Sequence, residues 1–447
     1  MNTEKNKYML SSKSTMIINH EGNTGKIYNV MTRKEVFVNE DTIQLINLLN
    51  KGISLIDLKE NTNIKTYNNI TTIINNLLKQ GYLSLYSKHE KKGIIRKEME
   101  SPALTNIQLE VTRRCNLRCK HCYLTDYSGK DELTKKEIFS LIDEASEMGV
   151  HEIHITGGEP TVRNDLKEII EYIYSKGMHG KLYTNGISLD EDFLEFLSYI
   201  GIDGVKVSLD GFKPKTHNDF RRAKDGYSKT TENIKKMQEK GIPVEVTTVI
   251  NKINVKETKD IINYFKNQLK VDYHIDSFVP IGQGLSSEFD ISISDEEYIE
   301  AVAEEFMDII QLGDKGKKHS EKSDLNKGKE NNFFCGAGNS YVFITSKGIV
   351  KFCPTMPDEY NGGGLREESL KDIWVKGPIF NQYRNTNCKF INDCPHAKAC
   401  KGGCRSRSLL KYGGMTNPDI QMCKMFYMLT NIKPPSLMSD EHEYQKI

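Results

Sequence analysis

The first 114 residues of this 447-residue chain contain no cysteine, and all ten cysteines lie between residues 115 and 423. Cysteines used only as small core residues would be spread along the whole chain. Net charge is also nearly absent, since 62 Lys and Arg balance 61 Asp and Glu. The chain therefore lacks the global basic surplus of proteins whose main partner is nucleic acid.

Long apolar runs are missing as well, and none reaches the length that spans a membrane. The start, Met1–Lys13, is polar and carries lysines, so it lacks the apolar core of a secretory signal. These absences predict a cytoplasmic protein with neither a nucleic-acid nor a membrane partner. In that compartment clustered cysteines more often bind metal or do chemistry than form disulfides.

The length predicts two to four domains. Residues 1–90 combine short strand patterns with three helical patterns, which is typical of a winged helix. A charged connector, Lys88–Pro102, follows. The predicted strands are Met16–Asn19, Lys26–Val30, Glu35–Val38 and Tyr82–Tyr86, and the predicted helices are Asp41–Leu49, Ser54–Glu60 and Thr66–Lys79.

Residues 103–312 alternate strand and helix patterns, which predicts an α/β fold with a parallel sheet. Six units predict a partial (β/α)6 TIM-like barrel with its site at the carboxyl ends of the strands. The strands are Ile107–Thr112, Glu152–Thr156, Gly180–Thr184, Gly204–Leu209, Val244–Ile250 and Tyr273–Pro280. The helices are Thr134–Met148, Asn164–Lys176, Asp190–Ile200, Tyr227–Lys240, Val255–Leu269 and, at the end, Asp295–Leu312.

The last part of the chain begins with a polar linker at 313–334, rich in Lys, Ser, Gly and Glu. A cysteine-rich domain at 335–425 and a tail at 426–447 follow. The cysteine-rich domain has little apolar periodicity, so bound metal is expected to hold it together.

Cys115, Cys119 and Cys122 form a C-x-x-x-C-x-x-C run in a loop directly after the first barrel strand. Three thiolates can hold three irons of a 4Fe-4S cubane and leave the fourth iron open. The amino and carboxylate groups of S-adenosylmethionine suit such an open iron, and one electron from the cluster can then split a C–S bond. A zinc site or plain packing stays an alternative on spacing alone, although zinc usually takes four closed ligands.

The surrounding sequence resembles the radical SAM superfamily signature. Residues 110–123 read EVTRRCNLRCKHCY, and the glycine-rich stretch Thr156–Pro160 follows the second strand. Thr184–Gly186 and Val207–Gly211 also match in the expected order, so the resemblance covers about residues 105–280.

The resemblance implies roles for individual residues in binding S-adenosylmethionine, and it assigns none as a catalytic acid, base or nucleophile. Glu159 would contact the amino group, and Gly158 would allow close backbone approach. Arg221 would pair with the carboxylate. The alternatives are a helix cap for Glu159 and a surface ion pair for Arg221. The implied set is His121 (backbone, near adenine), Gly158, Glu159, Ser208 (ribose), Arg221 and Thr247 (near adenine).

The remaining cysteines resemble a SPASM domain, a module with two auxiliary 4Fe-4S clusters. The resemblance implies an outer cluster on Cys388, Cys394, Cys400 and Cys423, and an inner one on Cys335, Cys353 and Cys404. One departure is that five residues separate Cys388 from Cys394, where the family commonly has two.

Three four-iron cubanes offer more ligand positions than ten cysteines can fill. Once the cofactor takes one position and the outer cluster is closed, the inner cluster keeps an open iron that can bind a substrate thiolate. A side chain other than cysteine, a water, or a cysteine from elsewhere could fill that position instead. Structural zinc also stays an alternative for any four of these cysteines.

The winged-helix pattern usually indicates DNA binding, but the candidate recognition segment Asn61–Leu78 has Lys65 as its one basic residue. Beside the other motifs, residues 1–90 resemble the peptide-recognition element of peptide-maturing enzymes. That element binds a leader peptide, which adds a strand to a sheet edge. A domain that serves packing alone is the alternative.

Taken together, the chain resembles sactionine and ranthipeptide synthases, radical SAM peptide maturases that join a cysteine sulfur to a carbon of another residue. The resemblance implies S-adenosylmethionine and three 4Fe-4S clusters as cofactors. Its partners would be a precursor peptide with a leader and a reducing electron donor such as flavodoxin or ferredoxin. The alternatives are a carbon–carbon cross-linking peptide cyclase, a sulfatase-maturing enzyme and, in another class, a redox-sensing DNA-binding regulator.

Overall fold

The computed structural model describes residues 6–11, 14–18, 24–29, 34–61, 63–86, 93–97, 103–315 and 336–438. The chain forms two compact units. The first consists of Met1–Asn106, Phe139–Ile153 and Ile170–His179, and the second of Ile107–Ile138, His154–Ile169 and Gly180–Ile447. Among the described residues, no helix is both long enough and apolar enough to cross a bilayer.

The N-terminal part of the first unit confirms the predicted strands and helices to within a few residues. Its elements are β1 Tyr8–Leu10, β2 Ser14–Ile18, β3 Thr24–Asn29, β4 Lys34–Asn39, α1 Glu40–Asn50, α2 Leu55–Glu60, α3 Ile64–Lys79, β5 Leu83–Leu85 and β6 Ile94–Lys97.

The four-stranded sheet of this unit has the order β4-β3-β2-β6, so β4 and β6 are its outer strands. Strands β2, β3 and β4 pair antiparallel, whereas β6 runs parallel to β2. The prediction of a connector over Lys88–Pro102 is therefore wrong at Ile94–Lys97. Ile95 packs on the core of the unit, and this burial favours a strand among the charged neighbours.

The helices of the N-terminal unit start at side-chain caps and bury one face each. Asn39 accepts from the Thr42 N–H at the start of α1, and Ser54 with Asp57 forms a capping box at α2. Sheet residues and helix residues meet in one core, whose fully buried members include Leu10, Met16, Ile27, Ile46 and Leu49.

The barrel region confirms the six predicted strands and places helices between them. Its elements are β7 Asn106–Glu110, α4 Lys135–Glu147, β8 Glu152–Thr156, α5 Leu166–Ser175, β9 Lys181–Thr184, α6 Glu191–Ile200, β10 Gly204–Ser208, α7 Pro214–Arg221, α8 Gly226–Glu239, β11 Val244–Ile250, α9 Thr258–Asn263 and β12 Asp272–Ser277. The pattern Val255–Leu269 is not one helix, because a 3-10 turn precedes α9 and a π-helical turn, Tyr264–Leu269, follows it.

The barrel strands form an open sheet in the order β12-β11-β10-β9-β8-β7. The pairs from β9 to β12 are parallel, with Val207 opposite Thr184 and Ser208 opposite Thr247. Side chains alternate, so Val205 and Val207 are buried while Lys206 and Ser208 are half-buried. The strands thus deliver their carboxyl ends, and the loops after them, to one edge of the sheet.

The C-terminal region extends the same sheet instead of forming a separate one. Its elements are α10 Gln283–Ile291, α11 Asp295–Lys315, β13 Tyr341–Ile344, β14 Ile349–Lys351, β15 Asn361–Gly364, α12 Leu370–Lys376, α13 Pro378–Arg384, α14 Ala397–Cys400, α15 Arg405–Tyr412 and α16 Ile420–Thr430. The sheet continues from β7 into β13, β14 and β15, and β14 pairs antiparallel with both neighbours. Helix α11 runs three residues past the predicted end at Leu312, while residues 316–334 of the predicted linker lie outside the described residues.

Candidate active site

Cys115, Cys119 and Cys122 lie in the loop after β7 and share one apolar cluster. Leu117 and Ala223 are buried members of that cluster. The Leu117 N–H donates to the Cys115 sulfur over 3.3 Å, and the Cys122 N–H donates to the Cys119 carbonyl over 3.3 Å. The loop therefore folds back on itself and collects the three sulfurs beside the carboxyl end of β7.

Burial raises the pKa of Cys115 to about 11 and that of Cys119 to about 12, and it also raises the pKa of Cys122. A buried thiol gives up its proton readily when a metal ion on the sulfur replaces that positive charge. Among the described residues, no three His, Cys, Asp or Glu side chains converge closely enough to hold a single metal ion. Three sulfur donors around one apolar cluster fit an iron–sulfur cubane, which separates its thiolates more widely than one ion does.

Gly157 and Gly158 follow β8 and cross directly over the cysteine loop. A Cβ on Gly157 would lie 2.6 Å from the Thr112 carbonyl oxygen. A Cβ on Gly158 would lie 2.5 Å from the Arg113 carbonyl oxygen and 2.8 Å from the Cys115 Cβ. Both positions need glycine because the backbones of the two loops are in contact. The sequence had linked Gly158 only to close approach of the cofactor, so this packing role is an additional one.

Glu159 is fully buried, and protein donors surround its carboxylate. Oε1 accepts from the hydroxyls of Thr184 at 2.7 Å and Thr161 at 2.8 Å, and Oε2 accepts from the Asn185 N–H at 2.8 Å. Burial raises the pKa of Glu159, although these hydrogen bonds oppose the rise. Glu159 also caps the 3-10 turn Pro160–Val162, so the alternative role as a cap is present in the structure. The predicted contact with the cofactor amino group stays a prediction.

Arg221, the last residue of α7, forms a buried ion pair and not a surface one. Its Nε donates to Asp210 Oδ2 at 2.5 Å, and its Nη1 lies 3.9 Å from the Cys119 sulfur. Asp210 Oδ1 accepts from the Val249 N–H at 2.7 Å. Burial alone would raise the pKa of Asp210, but the Arg221 charge outweighs burial and holds it below its usual range. Arg221 thus joins the end of β10 to the cysteine loop.

Ser208 and Thr247 lie opposite each other in the ladder between β10 and β11, and both are half-buried. The Thr247 hydroxyl donates to Asp276 Oδ2 at 3.3 Å. The two residues predicted to border the ribose and adenine therefore share one row of the parallel sheet, near its carboxyl edge.

His121 stacks on Phe220, with ring centroids 4.4 Å apart and planes 9° from parallel. Its Nδ1 is buried and has no hydrogen-bond partner among the described residues. Burial lowers the pKa of His121 to about 4, and the nearby Arg221 charge lowers it further. The ring is therefore neutral near pH 7.

Four of the C-terminal cysteines form one group. Burial raises the pKa of Cys400 and that of Cys423 to about 12 each. The charges of Cys423 and Cys394 raise the pKa of Cys400 further, and those of Cys388 and Cys394 do the same at Cys423. These mutual influences indicate that Cys388, Cys394, Cys400 and Cys423 lie within electrostatic range of one another. Their role as ligands of the outer cluster stays a prediction.

Two further cysteines lie on neighbouring segments. The Cys353 sulfur lies 3.4 Å from the Thr355 hydroxyl, and the Ser406 hydroxyl donates to the Thr355 carbonyl at 2.6 Å. Cys404 stands two residues before Ser406, so this bond holds the Cys353 and Cys404 segments together. Cys335, the third residue predicted for the inner cluster, lies outside the described residues.

Two buried carboxylates near the cysteines escaped the sequence analysis. Glu110 accepts from the Tyr123 hydroxyl at 2.7 Å, and also from the Ser346 N–H at 3.0 Å. Asp419 accepts from the Cys404 N–H at 2.9 Å and receives two bonds, at 2.6 and 2.8 Å, from Arg407. Glu110 is part of the signature stretch at the end of β7, and this position in the motif could have indicated from sequence that it belongs to the site.

Residues 109–265 match the sequence model described as "Radical SAM superfamily", and residues 335–405 match the SPASM "Iron-sulfur cluster-binding domain". These matches define the chain as a radical SAM enzyme. Within that class it carries a SPASM domain, so S-adenosylmethionine and iron–sulfur clusters are its cofactors.

Curated relatives include the AdoMet-dependent heme synthase of Methanosarcina barkeri, with 29% identity over 70% of this chain and 95% of the relative. The PqqA peptide cyclase of Xanthomonas axonopodis pv. citri is 25% identical over 71% of this chain and 87% of its own length. Among solved structures, Streptococcus suis SuiB bound to its precursor peptide SuiA superposes with a TM-score of 0.65. That superposition covers 92% of this chain and 98% of SuiB at 14% identity, which shows a shared fold.

Proposed function

We propose that this enzyme modifies a ribosomally made precursor peptide by joining a cysteine sulfur to a carbon of another residue in a thioether cross-link. The observation that carries the proposal is the grouping of the C-terminal cysteines. Cys388, Cys394, Cys400 and Cys423 influence one another's charge and would close one cluster, which would leave Cys353, Cys404 and Cys335 for a second. A cubane held by three protein thiolates would have one iron free for a substrate thiolate, which the peptide's cysteine would supply.

With cluster and S-adenosylmethionine bound, the first site would supply a 5′-deoxyadenosyl radical, using an electron from a donor such as flavodoxin or ferredoxin. That radical would take one hydrogen atom from the acceptor carbon to give 5′-deoxyadenosine. As the S–C bond forms, the remaining electron would pass to an auxiliary cluster and the thiol proton would leave to solvent. The residues of the chain orient the cofactor and exclude water. Glu159 accepts from the amino group through the lone pair that the Asn185 N–H leaves free on Oε2. Arg221, anchored by Asp210, attracts the carboxylate. Ser208 and Thr247 border the nucleoside. The apolar cluster around the cysteines keeps solvent from the radical.

The N-terminal unit binds the leader of the precursor through the exposed edge of strand β4. An outer strand presents unpaired N–H and C=O groups, to which an extended peptide can add as a further strand. Phe37 on β4 is 78% exposed and offers an apolar contact to such a strand. The superposition on SuiB supports this proposal, because 92% coverage must include most of the first 106 residues and SuiB was solved with its precursor peptide.

Mass spectrometry of the precursor tests the thioether. The assay needs a precursor peptide, which is to be sought as a short cysteine-bearing reading frame beside the gene. We expect each cross-link to remove two hydrogens, and we expect the loss to disappear when the peptide cysteines are replaced by alanine. A loss that persists in the cysteine-free peptide would contradict the proposal.

Leader binding has its own test with a matched pair of variants. Phe37→Asp places a charge on the β4 edge, whereas Ile64→Asp changes a residue of the same unit that is 79% exposed on α3. We expect the first variant to weaken precursor binding at least tenfold in a calorimetric titration and the second to leave it unchanged. If both variants weakened precursor binding equally, the proposal that the leader binds along the β4 edge would be wrong.

Two other functions are favoured by particular relatives. The PqqA peptide cyclase favours peptide cyclisation. A carbon–carbon cross-linking cyclase would give the same mass change with the cysteines untouched. The heme synthase, which has the higher identity, favours heme formation. An unmodified peptide together with heme production from a porphyrin precursor would identify that activity.

A further inference from the structure

Arg405, the first residue of α15, carries a buried guanidinium whose hydrogen-bonding capacity is only partly used. The residue is 8% exposed. Its Nη1 donates to the carbonyls of Met415 at 2.5 Å and Asn417 at 3.1 Å. Its Nε and Nη2 have no acceptor among the described residues. Buried guanidinium donors rarely remain unpaired, so an acceptor is expected on this edge.

The unpaired edge of Arg405 lies beside the grouped cysteines. A Cβ added to Gly402 would lie 3.3 Å from Arg405 Nη2 and also 3.3 Å from the Cβ of Cys388. The guanidinium and this cysteine therefore face the same side of the Gly402 backbone. Arg405 and Cys400 also line one cavity of about 380 Å³.

The cavity that Arg405 lines is short of negative charge. The cavity has Lys398 and Lys401 in its lining, and none of its lining residues in the described part of the chain is Asp or Glu. Asp419, the buried carboxylate nearby in the sequence, already accepts from Arg407 and Cys404. The cysteine group beside Gly402 is therefore the candidate source of negative charge at this edge.

We propose that Arg405 is a positioning residue for the auxiliary cluster on Cys388, Cys394, Cys400 and Cys423, and that its unpaired N–H groups donate to the sulfur atoms of that cluster. Four thiolates with bridging sulfides carry net negative charge, which increases on reduction. A cation with N–H donors at the sulfurs stabilises the reduced state most, so Arg405 raises the reduction potential of this cluster. The inference rests on the proposed ligand set but is independent of the peptide chemistry.

The test uses the full chain with Cys115, Cys119 and Cys122 replaced by alanine, so that auxiliary clusters alone contribute to the spectrum. Parent and variant are reconstituted with iron and sulfide, and reduction is followed by electron paramagnetic resonance against applied potential. We expect Arg405→Gln to lower the ratio of reduced to oxidised cluster about tenfold at fixed potential, which is about 59 mV for one electron. Arg405→Lys keeps the charge without the planar fork, and a smaller shift is expected.

Lys398→Gln is the matched control, because it removes the same charge from an exposed position in the cavity lining and should leave the potential unchanged. Adding Cys394→Ala should abolish the Arg405→Gln shift, since it removes a ligand of the outer cluster. An unchanged potential in Arg405→Gln at parental iron content would overturn the proposal. The proposal would also be overturned if the shift in potential persisted in the Cys394→Ala background. It would be overturned too if the parent protein showed no signal of an auxiliary four-iron cluster. If Arg405→Gln takes up no iron, an unshifted Arg405→Lys would overturn it.

Discussion

Replacing Gly158 with alanine tests whether the loop after β8 is locked against the cysteine loop. The added methyl carbon would lie 2.5 Å from the Arg113 carbonyl oxygen, 2.6 Å from that of Arg114 and 2.8 Å from the Cys115 Cβ. Non-bonded carbon atoms in good contact lie about 3.5–4.0 Å apart, so at least one loop must move. Because two of the three obstacles are backbone carbonyls, we expect the upper end of the usual overpacking cost, about 3 kcal/mol.

Two measurements separate the ways in which the protein can respond. Anaerobic urea denaturation of the metal-free protein measures the strain, and iron content after reconstitution shows whether the cysteine loop still holds its cluster. If the cysteine loop keeps its conformation in spite of the added methyl group, the free energy of unfolding falls by about 3 kcal/mol. If the cysteine loop instead moves away from the methyl group, its cysteines no longer hold their cluster and the iron content falls by one four-iron cluster. Gly414→Ala is the control, since its methyl would lie 3.4 Å from the Asn417 side chain, an ordinary contact. Parental stability together with parental iron in Gly158→Ala would refute the reasoning.

Three further predictions follow from the charges and the ligands. Asp210→Asn leaves a buried guanidinium without its counter-charge, so we expect urea denaturation to show a loss of about 3–5 kcal/mol. Burial alone would raise the pKa of Glu245, but Lys206 and Lys181 outweigh it and lower that pKa to about 2. Its stabilisation is therefore present above the unfolded-state pKa near 4.3 and is lost as pH falls toward 2, and Glu245→Gln should flatten that part of the stability–pH curve. Cys394→Ala should lower the iron content by one four-iron cluster while the reduced protein still cleaves S-adenosylmethionine, and loss of that cleavage would contradict separate sites.

The sequence predicts the barrel well because burial and alternation reinforce each other there. Strands Glu152–Thr156 and Val244–Ile250 have the predicted bounds. Helix α7 was missed because it begins at Pro214 and has Phe220 as its one large apolar side chain. Strand β6 was missed because the segment around it is charged, and the contact that selects a strand comes from a distant part of the unit.

At the candidate site, too, some features could be predicted from the sequence and others could not. The order of the motifs predicted that the loops of Cys115, Gly158 and Ser208 meet at the carboxyl edge of the sheet. Spacing could not show that Arg221 is held by Asp210, because that ion pair depends on how α7 packs against β10. Nor could spacing alone show that Cys423 joins the cysteines more than twenty residues before it, since helix α16 delivers it from outside the run.

The shared sheet of barrel and SPASM domain limits how such enzymes can be recombined. Strand β13 adds directly to β7, and the Tyr341 hydroxyl donates to Gln108 Oε1 at 2.5 Å across this junction. The Ser346 N–H donates to Glu110 a little further along. A foreign auxiliary domain grafted onto this barrel would have to bring a strand of matching register and a donor for Glu110. The barrel and the SPASM domain therefore cannot be exchanged as independent modules. Exchanging the loops between the strands of the shared sheet should disturb the fold less than exchanging the whole SPASM domain.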